Sequence, residues 1–148
     1  MYQSNFKQII DKVTEFANLH DFVKTFNWGN IMQLDANETT YPIVYMVPIN
    51  TVMENTQISY NFDIIFADVL QSDRGNLKTI TNTNLEIAKD FVRYFQEQPD
   101  VNNFWIDESN VTCAYAEEKY KDNVQGWIMN VTFQSNFDIS RCSMLMGH

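Results

Sequence analysis

Two segments of this chain alternate between apolar and polar side chains with the period of a β-strand. Residues 58–67 carry an aromatic or aliphatic side chain at every even position, with Asn61 and Asp63 between them. Residues 127–134 show the same pattern at odd positions, with polar neighbours such as Asn130. Successive side chains of a strand point to opposite faces, so each segment predicts a strand with one buried face, as in an antiparallel sheet. The apolar positions are Ile58, Tyr60, Phe62, Ile64 and Phe66 in the first segment and Trp127, Met129, Val131 and Phe133 in the second.

Two other segments have the spacing of amphipathic helices. The first is predicted over residues 5–20 and the second over residues 83–98. In the second segment Thr83 and Glu86 have the spacing of a capping box, which predicts the start of the helix, and Pro99 ends it. The predicted buried stripes are Phe6, Ile9, Ile10, Val13, Phe16, Ala17 and His20 in the first helix and Leu85, Ala88, Phe91, Val92 and Phe95 in the second, with Ile87 and Tyr94 flanking the second stripe.

Two further strands complete the predicted fold. Residues 41–48 form an apolar run with Pro42 and Pro48 near its ends, and a proline cannot donate to a sheet ladder, so each should lie at a strand end. Another strand is predicted around residues 111–115. A helix must bury its apolar stripe, so we expect an α+β fold: a mainly antiparallel sheet of about four strands with both helices packed on one face. At 148 residues, the chain (1–148) fits one such domain.

The charge of the chain limits its partners. Nineteen acidic and ten basic residues give a net charge of −9, which disfavours a tight grip on phosphate backbones. The same charge suits solubility, or a surface past which a polyanion slides without adhering. No apolar stretch approaches the roughly 18 residues of a membrane span, and the first residues lack the pattern of a signal peptide, so we expect no membrane contact.

No residue constellation in the sequence points to catalysis, a cofactor or a metal ion. His20 has no partner at a metal-binding spacing and is best interpreted as a residue at a helix end. Asp63 and Asp68 are five positions apart in a predicted strand, which places them on opposite faces and argues against a shared acid–base site. Cys113 and Cys142 show no CxxC spacing; free thiols are favoured, and a disulfide stays open.

The abundance of aromatic residues near element ends favours protein–protein contact, because aromatic side chains are enriched at interfaces. We therefore predict a subunit interface at Trp28, Trp105 and the charged segment 117–122, whose side chains should project from the domain. A loop over residues 50–56 should project in the same way. The six residues of the charged segment are Glu117, Glu118, Lys119, Tyr120, Lys121 and Asp122.

The order of these elements resembles the tail-terminator (tail-completion) and neck proteins of tailed bacteriophages. The resemblance covers most of the chain and rests on the helix over residues 6–20, the proline-flanked strand 41–48, the aromatic strand 58–68, the helix from residue 83 and the closing Gly-Trp strand 126–133. The asparagine-rich, glycine-poor composition also resembles that of proteins from phages of AT-rich Bacteroidetes hosts, including the crAss-like group.

The resemblance implies a structural virion protein, assembled in the bacterial host cytoplasm, that forms a homo-oligomeric ring at the head–tail junction. A hexamer or dodecamer is implied, with other neck, portal or tail proteins as neighbours and DNA only as cargo passing through an acidic lumen. The family implies neither enzymatic activity nor a cofactor. Two other functions stay open: a small adaptor domain of a mobile element or bacterium, and a small enzyme or ligand-binding domain.

Overall fold

The computed structural model describes residues 5–29, 40–54, 56–71, 73–97, 104–116 and 124–136. In chain order the elements are helix α1 (Asn5–Leu19), strands β1 (Thr25–Trp28), β2 (Ile43–Met53) and β3 (Gln57–Val69), helix α2 (Leu77–Gln96), and strands β4 (Phe104–Ile106), β5 (Thr112–Ala116) and β6 (Val124–Asn136). A single 3₁₀ turn, Glu108–Asn110, lies between β4 and β5. The class is therefore mixed α+β, as the sequence predicts.

The strands form one mixed sheet in the order β1-β2-β3-β6-β4, with β5 also paired to β6 on the side of β4. β1 runs parallel to β2, and the other pairs are antiparallel. The described residues thus contain six strands, and the prediction of about four is wrong. The two strands that the sequence did not reveal, β1 and β4, have four and three residues, too few to display an alternating pattern.

Both helices pack on the same face of the sheet. Val13 of α1 and Phe91 of α2 belong to one buried cluster that also contains the even positions of β3 and the odd positions of β6. The rings of Phe16 and Phe91 meet edge-on with centroids 5.3 Å apart, and Phe91 also touches Phe133 of β6. Two polar contacts add to this packing: Tyr94 Oη donates to Glu15 Oε1 at 2.8 Å, and His20 Nε2 lies 2.9 Å from Asp90 Oδ2.

The observed bounds of α1 confirm the prediction to within one residue. Helix α2 begins at Leu77, six residues before its predicted start at Thr83. Thr83 therefore lies inside the helix, and the predicted capping box is wrong. The preceding turns are rich in threonine and asparagine, which have low helix propensity, but Ile80 is buried there and tertiary packing overrides propensity. The side chain of Asn76 fixes the turn before the helix by accepting from Gln71 N and donating to Val69 O.

The buried stripe of α2 also differs from its prediction. Leu85 and Val92 are only half-buried, while Ile80 and Ile87 are nearly inaccessible. The helix is therefore rotated relative to the predicted orientation, and its Leu85–Val92 flank lies at the margin of the sheet. The buried residues of the helix are Ile80, Asn84, Ile87, Ala88, Phe91 and Phe95.

Strand β2 does not end at Pro48 but continues for five more residues to Met53. The register between β2 and β3 shifts between Pro48 and Asn50, so the proline lies at a β-bulge. A proline is tolerated there because it disrupts no regular ladder position. Most of the segment predicted as a loop, residues 50–56, is therefore strand. We call residues 47–54 and 56–58 the hairpin arm.

The face of the sheet opposite the helices, the second face, has an apolar half and a polar half. Tyr45 and Ile65 belong to a second small buried cluster. Farther toward the hairpin arm, Asn61 Nδ2 donates to Asn130 Oδ1 and to Thr132 Oγ1, both at 3.0 Å. Asn130 Nδ2 donates in turn to Asn61 Oδ1 at 3.1 Å and to Asp63 Oδ1 at 2.9 Å. These bonds pair β3 with β6 through side chains as well as backbone, so the polar positions of both strands have a structural role.

Candidate interaction surfaces

The predicted interface residues lie at separate places in the fold. The charged segment, residues 117–122, lies outside the described residues. Trp28 ends β1 at one edge of the sheet, and Trp105 lies in β4 near the opposite edge. The structure therefore does not bring the two tryptophans together.

Each tryptophan combines an exposed part with a structural contact. Trp28 is 43% exposed, and its ring meets that of Phe6 edge-on with centroids 5.8 Å apart. Trp105 is 36% exposed, and its Nε1 donates to Gln134 Oε1 at 3.1 Å. Both side chains are held in one orientation, so each could present a fixed apolar surface to a partner.

The hairpin arm carries the most exposed apolar side chains of the sheet. Ile49 and Val52 are each 48% exposed, and Met53 is 70% exposed. The tip is closed by a backbone bond from Glu54 N to Gln57 O at 2.8 Å. The sequence predicted that this segment projects, but it did not show that aliphatic side chains line it. Residues 49–53 (Ile-Asn-Thr-Val-Met) do not alternate between apolar and polar side chains, so no periodic signal for a strand was present there.

A second apolar surface is an open groove of about 360 Å³ between α2 and the start of β5. We call it the α2–β5 groove. Leu85, Val92, Val111 and Cys113 line it, and the lysine and arginine at positions 89 and 93 stand at its rim. Cys113 carries a free thiol, and the residue as a whole is exposed. The groove still removes part of the thiol from water, and this desolvation raises the pKa of the thiol. Sequence reasoning missed this groove because it placed Leu85 and Val92 in the core.

His20 lies just beyond the end of α1, between the two helices. Phe22 N donates to His20 Nδ1 at 3.2 Å, so the proton of the neutral ring lies on Nε2, which donates to Asp90 Oδ2. The ring also packs against Phe16, with centroids 5.5 Å apart. His20 therefore connects α1 with α2, which is more than the helix-end position that its sequence context predicted.

The two aspartates of β3 point to different faces, as their spacing predicts. Asp63 accepts from Asn130 in the polar half of the second face. Asp68 lies on the helix side near the end of the strand, where burial raises the pKa of its carboxyl, partly offset by a hydrogen bond from Val69 N. They share no site. Across the described ranges, no group of three or more histidine, cysteine or acidic side chains is arranged to hold a metal ion.

Two further findings bear on function. Among the residues that the structure describes, no helix is long and apolar enough to cross a bilayer. No family model matches this chain, and no curated protein is significantly similar to it. The surfaces themselves therefore have to support any functional proposal.

Proposed function

We propose that this protein is a structural virion subunit that forms a ring at the head–tail junction of a tailed bacteriophage, as a tail terminator or neck connector. The observation that carries the proposal is the hairpin arm. Ile49, Val52 and Met53 are exposed on the outer part of β2, beyond the last residue that pairs with β1, in a chain with a net charge of −9. Aliphatic side chains displayed in this way on an acidic surface mark a protein–protein contact.

The distribution of surfaces supports a ring rather than a symmetric dimer. A ring uses two different patches on each subunit, and its contacts close if the rotation between neighbours closes. The hairpin arm and the α2–β5 groove are two such patches, and they lie on opposite sides of β6. The acidic balance would let DNA pass through the lumen without adhering. A hexamer or dodecamer is the assembly we expect, in contact with other neck, portal or tail proteins.

The mass in solution tests this proposal directly. We expect the purified chain to form a discrete oligomer in light scattering at concentrations up to about 1 mM, and negative-stain images to show rings with a central channel. A gel-shift assay with double-stranded DNA at low salt should show no retention. A chain that remains monomeric over this range, without ring images, would overturn the proposal.

An adaptor domain without catalytic activity is the alternative, and the same hairpin arm favours it. An exposed apolar hairpin can bind an unlike protein as readily as a second copy. The mass measurement separates the two functions, because an adaptor would form a one-to-one complex with its partner and no higher homo-oligomer. Co-purification of the tagged chain from phage particles, compared with host lysate, provides the second criterion.

A further inference from the structure

We infer that the hairpin arm of one copy docks into the α2–β5 groove of the next copy. This inference rests on the proposed ring and names its subunit contact. It requires that the arm and the groove be complementary in chemistry, that they be unable to meet within one chain, and that both be accessible.

Complementarity in shape and hydrophobicity comes first. The arm presents Val52 and Met53 on its two faces near the tip; about half of the Val52 side chain and most of the Met53 side chain are exposed. The groove offers a trough whose floor includes Leu85 and Val92, which are half-buried and have room beside them. An unbranched methionine adapts its shape to irregular apolar gaps, so it suits such a trough.

Opposite charges on the hairpin arm and at the rim of the groove favour one orientation of the arm in the groove. Glu54 is exposed at the end of the arm, next to Met53. Lys89 and Arg93 stand one helical turn apart at the rim of the groove, in a chain that has only ten basic residues. Lys89 already contacts Glu86 at 3.2 Å, but both side chains are exposed, and such surface pairs contribute little, so this lysine can turn to a new partner.

The register of the sheet excludes a contact between the arm and the groove of the same chain. Cys113 is opposite Met129 on β6, whereas Ile58 at the arm is opposite Ser135, six residues farther along that strand. At the rise of a strand this is about 20 Å along the sheet, and the three strand spacings from β5 to β2 add about 14 Å across it. A hairpin fixed by paired strands cannot bend back over that distance. An arm that occupies the groove must therefore belong to another copy.

Disulfide trapping tests this contact, because Cys113 already lies in the groove. In a Cys142→Ser background, Val52→Cys or Met53→Cys places a second thiol on the arm. Mild oxidation should give a ladder of linked species up to the full ring on a non-reducing gel, and reduction should collapse it to one chain. Asp11→Cys, on the exposed side of α1, is the control and should give at least about tenfold less linked product.

Charge reversal provides an independent test that folding defects cannot imitate. The double variant Lys89→Glu and Arg93→Glu should weaken self-association at least about tenfold, whereas the triple variant that adds Glu54→Lys should regain most of it. The matched control is Lys7→Glu on α1, which should assemble like the unchanged protein.

The outcomes separate the inference from the proposed function. An oligomer that forms normally but gives no arm-to-groove disulfide, together with charge variants that assemble unchanged, overturns the inference and leaves the ring intact. Disulfides that form only within one chain also overturn it. A chain that remains monomeric up to about 1 mM overturns both.

Discussion

Gly126 is the position at which one added methyl group should damage the fold most. It lies opposite Ala67, where β6 approaches β3 closely. A Cβ atom at this position would lie 1.9 Å from Phe66 O, 2.7 Å from Ala67 Cα and 2.8 Å from Phe66 C, all of them backbone atoms. Ordinary contacts of carbon with carbonyl oxygen between strands are about 3.3–3.6 Å, so the methyl group would be about 1.5 Å too close. No side-chain rotation can relieve this overlap.

The cost can be derived from the two ways in which the fold could relieve it. Moving β6 away from β3 breaks ladder bonds in a pairing of thirteen residues, and overpacking of this kind typically costs about 1–3 kcal/mol. Letting the end of β6 fray instead exposes Val124, which is fully buried, at about 1.5–3 kcal/mol, in addition to the lost pairing. We therefore expect Gly126→Ala to lower the free energy of unfolding by about 3 kcal/mol. For a chain of this size that corresponds to a melting temperature lower by about 6–12 °C.

The assay is urea unfolding followed by far-ultraviolet circular dichroism, at equal protein concentration for every variant because oligomerisation shifts apparent stability. Gly75→Ala is the control, since its Cβ would meet only the side chain of Asp73, at 3.1 Å from Oδ1. That variant should stay within about 0.5 kcal/mol of the unchanged protein. A Gly126→Ala protein that is equally stable would refute the close approach of the two strands.

Three further predictions follow from burial and charge. Phe91→Ala should lower the free energy of unfolding by about 3–5 kcal/mol, because the ring is fully buried among four other phenylalanines. Leu85→Ala at the groove should lower it by less than about 1.5 kcal/mol in the same unfolding assay. Equal losses of stability in the two variants would contradict the orientation of α2. His20→Ala should lose about 1 kcal/mol with its bond to Asp90 and leave the oligomeric mass unchanged in light scattering, and a changed mass would contradict a purely intrachain role. Burial raises the pKa of the Asp68 carboxyl in the folded state, so the folded protein holds the carboxyl proton more tightly than the unfolded chain does. The Asp68→Asn variant should therefore be more stable than the unchanged protein at pH 7, and the difference in stability should shrink as the pH falls through the folded-state pKa of Asp68. A stability difference that does not change with pH in urea unfolding would contradict the burial of Asp68.

The elements that could be predicted from sequence are those whose pattern extends over many residues. β3 and β6 each have thirteen residues, and α1 repeats its apolar spacing over four turns, so burial of one face decides their type. The start of α2 could not be predicted, since only the burial of Ile80 against the sheet outweighs the low helix propensity around it. Whether Leu85 or Ile87 faces the core depends on where the sheet ends, which periodicity does not encode.

The candidate surfaces were less predictable than the fold, for a related physical reason. A pattern shows which residues are apolar, but exposure depends on what covers them. Ile49 and Met53 are exposed on the part of β2 beyond Met46, where β1 no longer pairs with it, and Val92 is only half-buried because α2 lies at the margin of the sheet. Trp28 and Trp105 were identified from residue type alone, and the structure shows both of them partly exposed but far apart.

In the proposed assembly, the outer edge of β2 favours contact through side chains over strand addition. In the described part of the sheet, β1 pairs with β2 only as far as Met46, so the outer edge of β2 from residue 47 onward has no paired strand. A long open edge is a template for uncontrolled pairing with other chains. Pro48 removes one backbone donor there, and the bulge between Pro48 and Asn50 breaks the regular spacing of the others. The arm can thus present Val52 and Met53 to a neighbour while its backbone resists aggregation, and a contact specified by side chains can be limited to one partner groove.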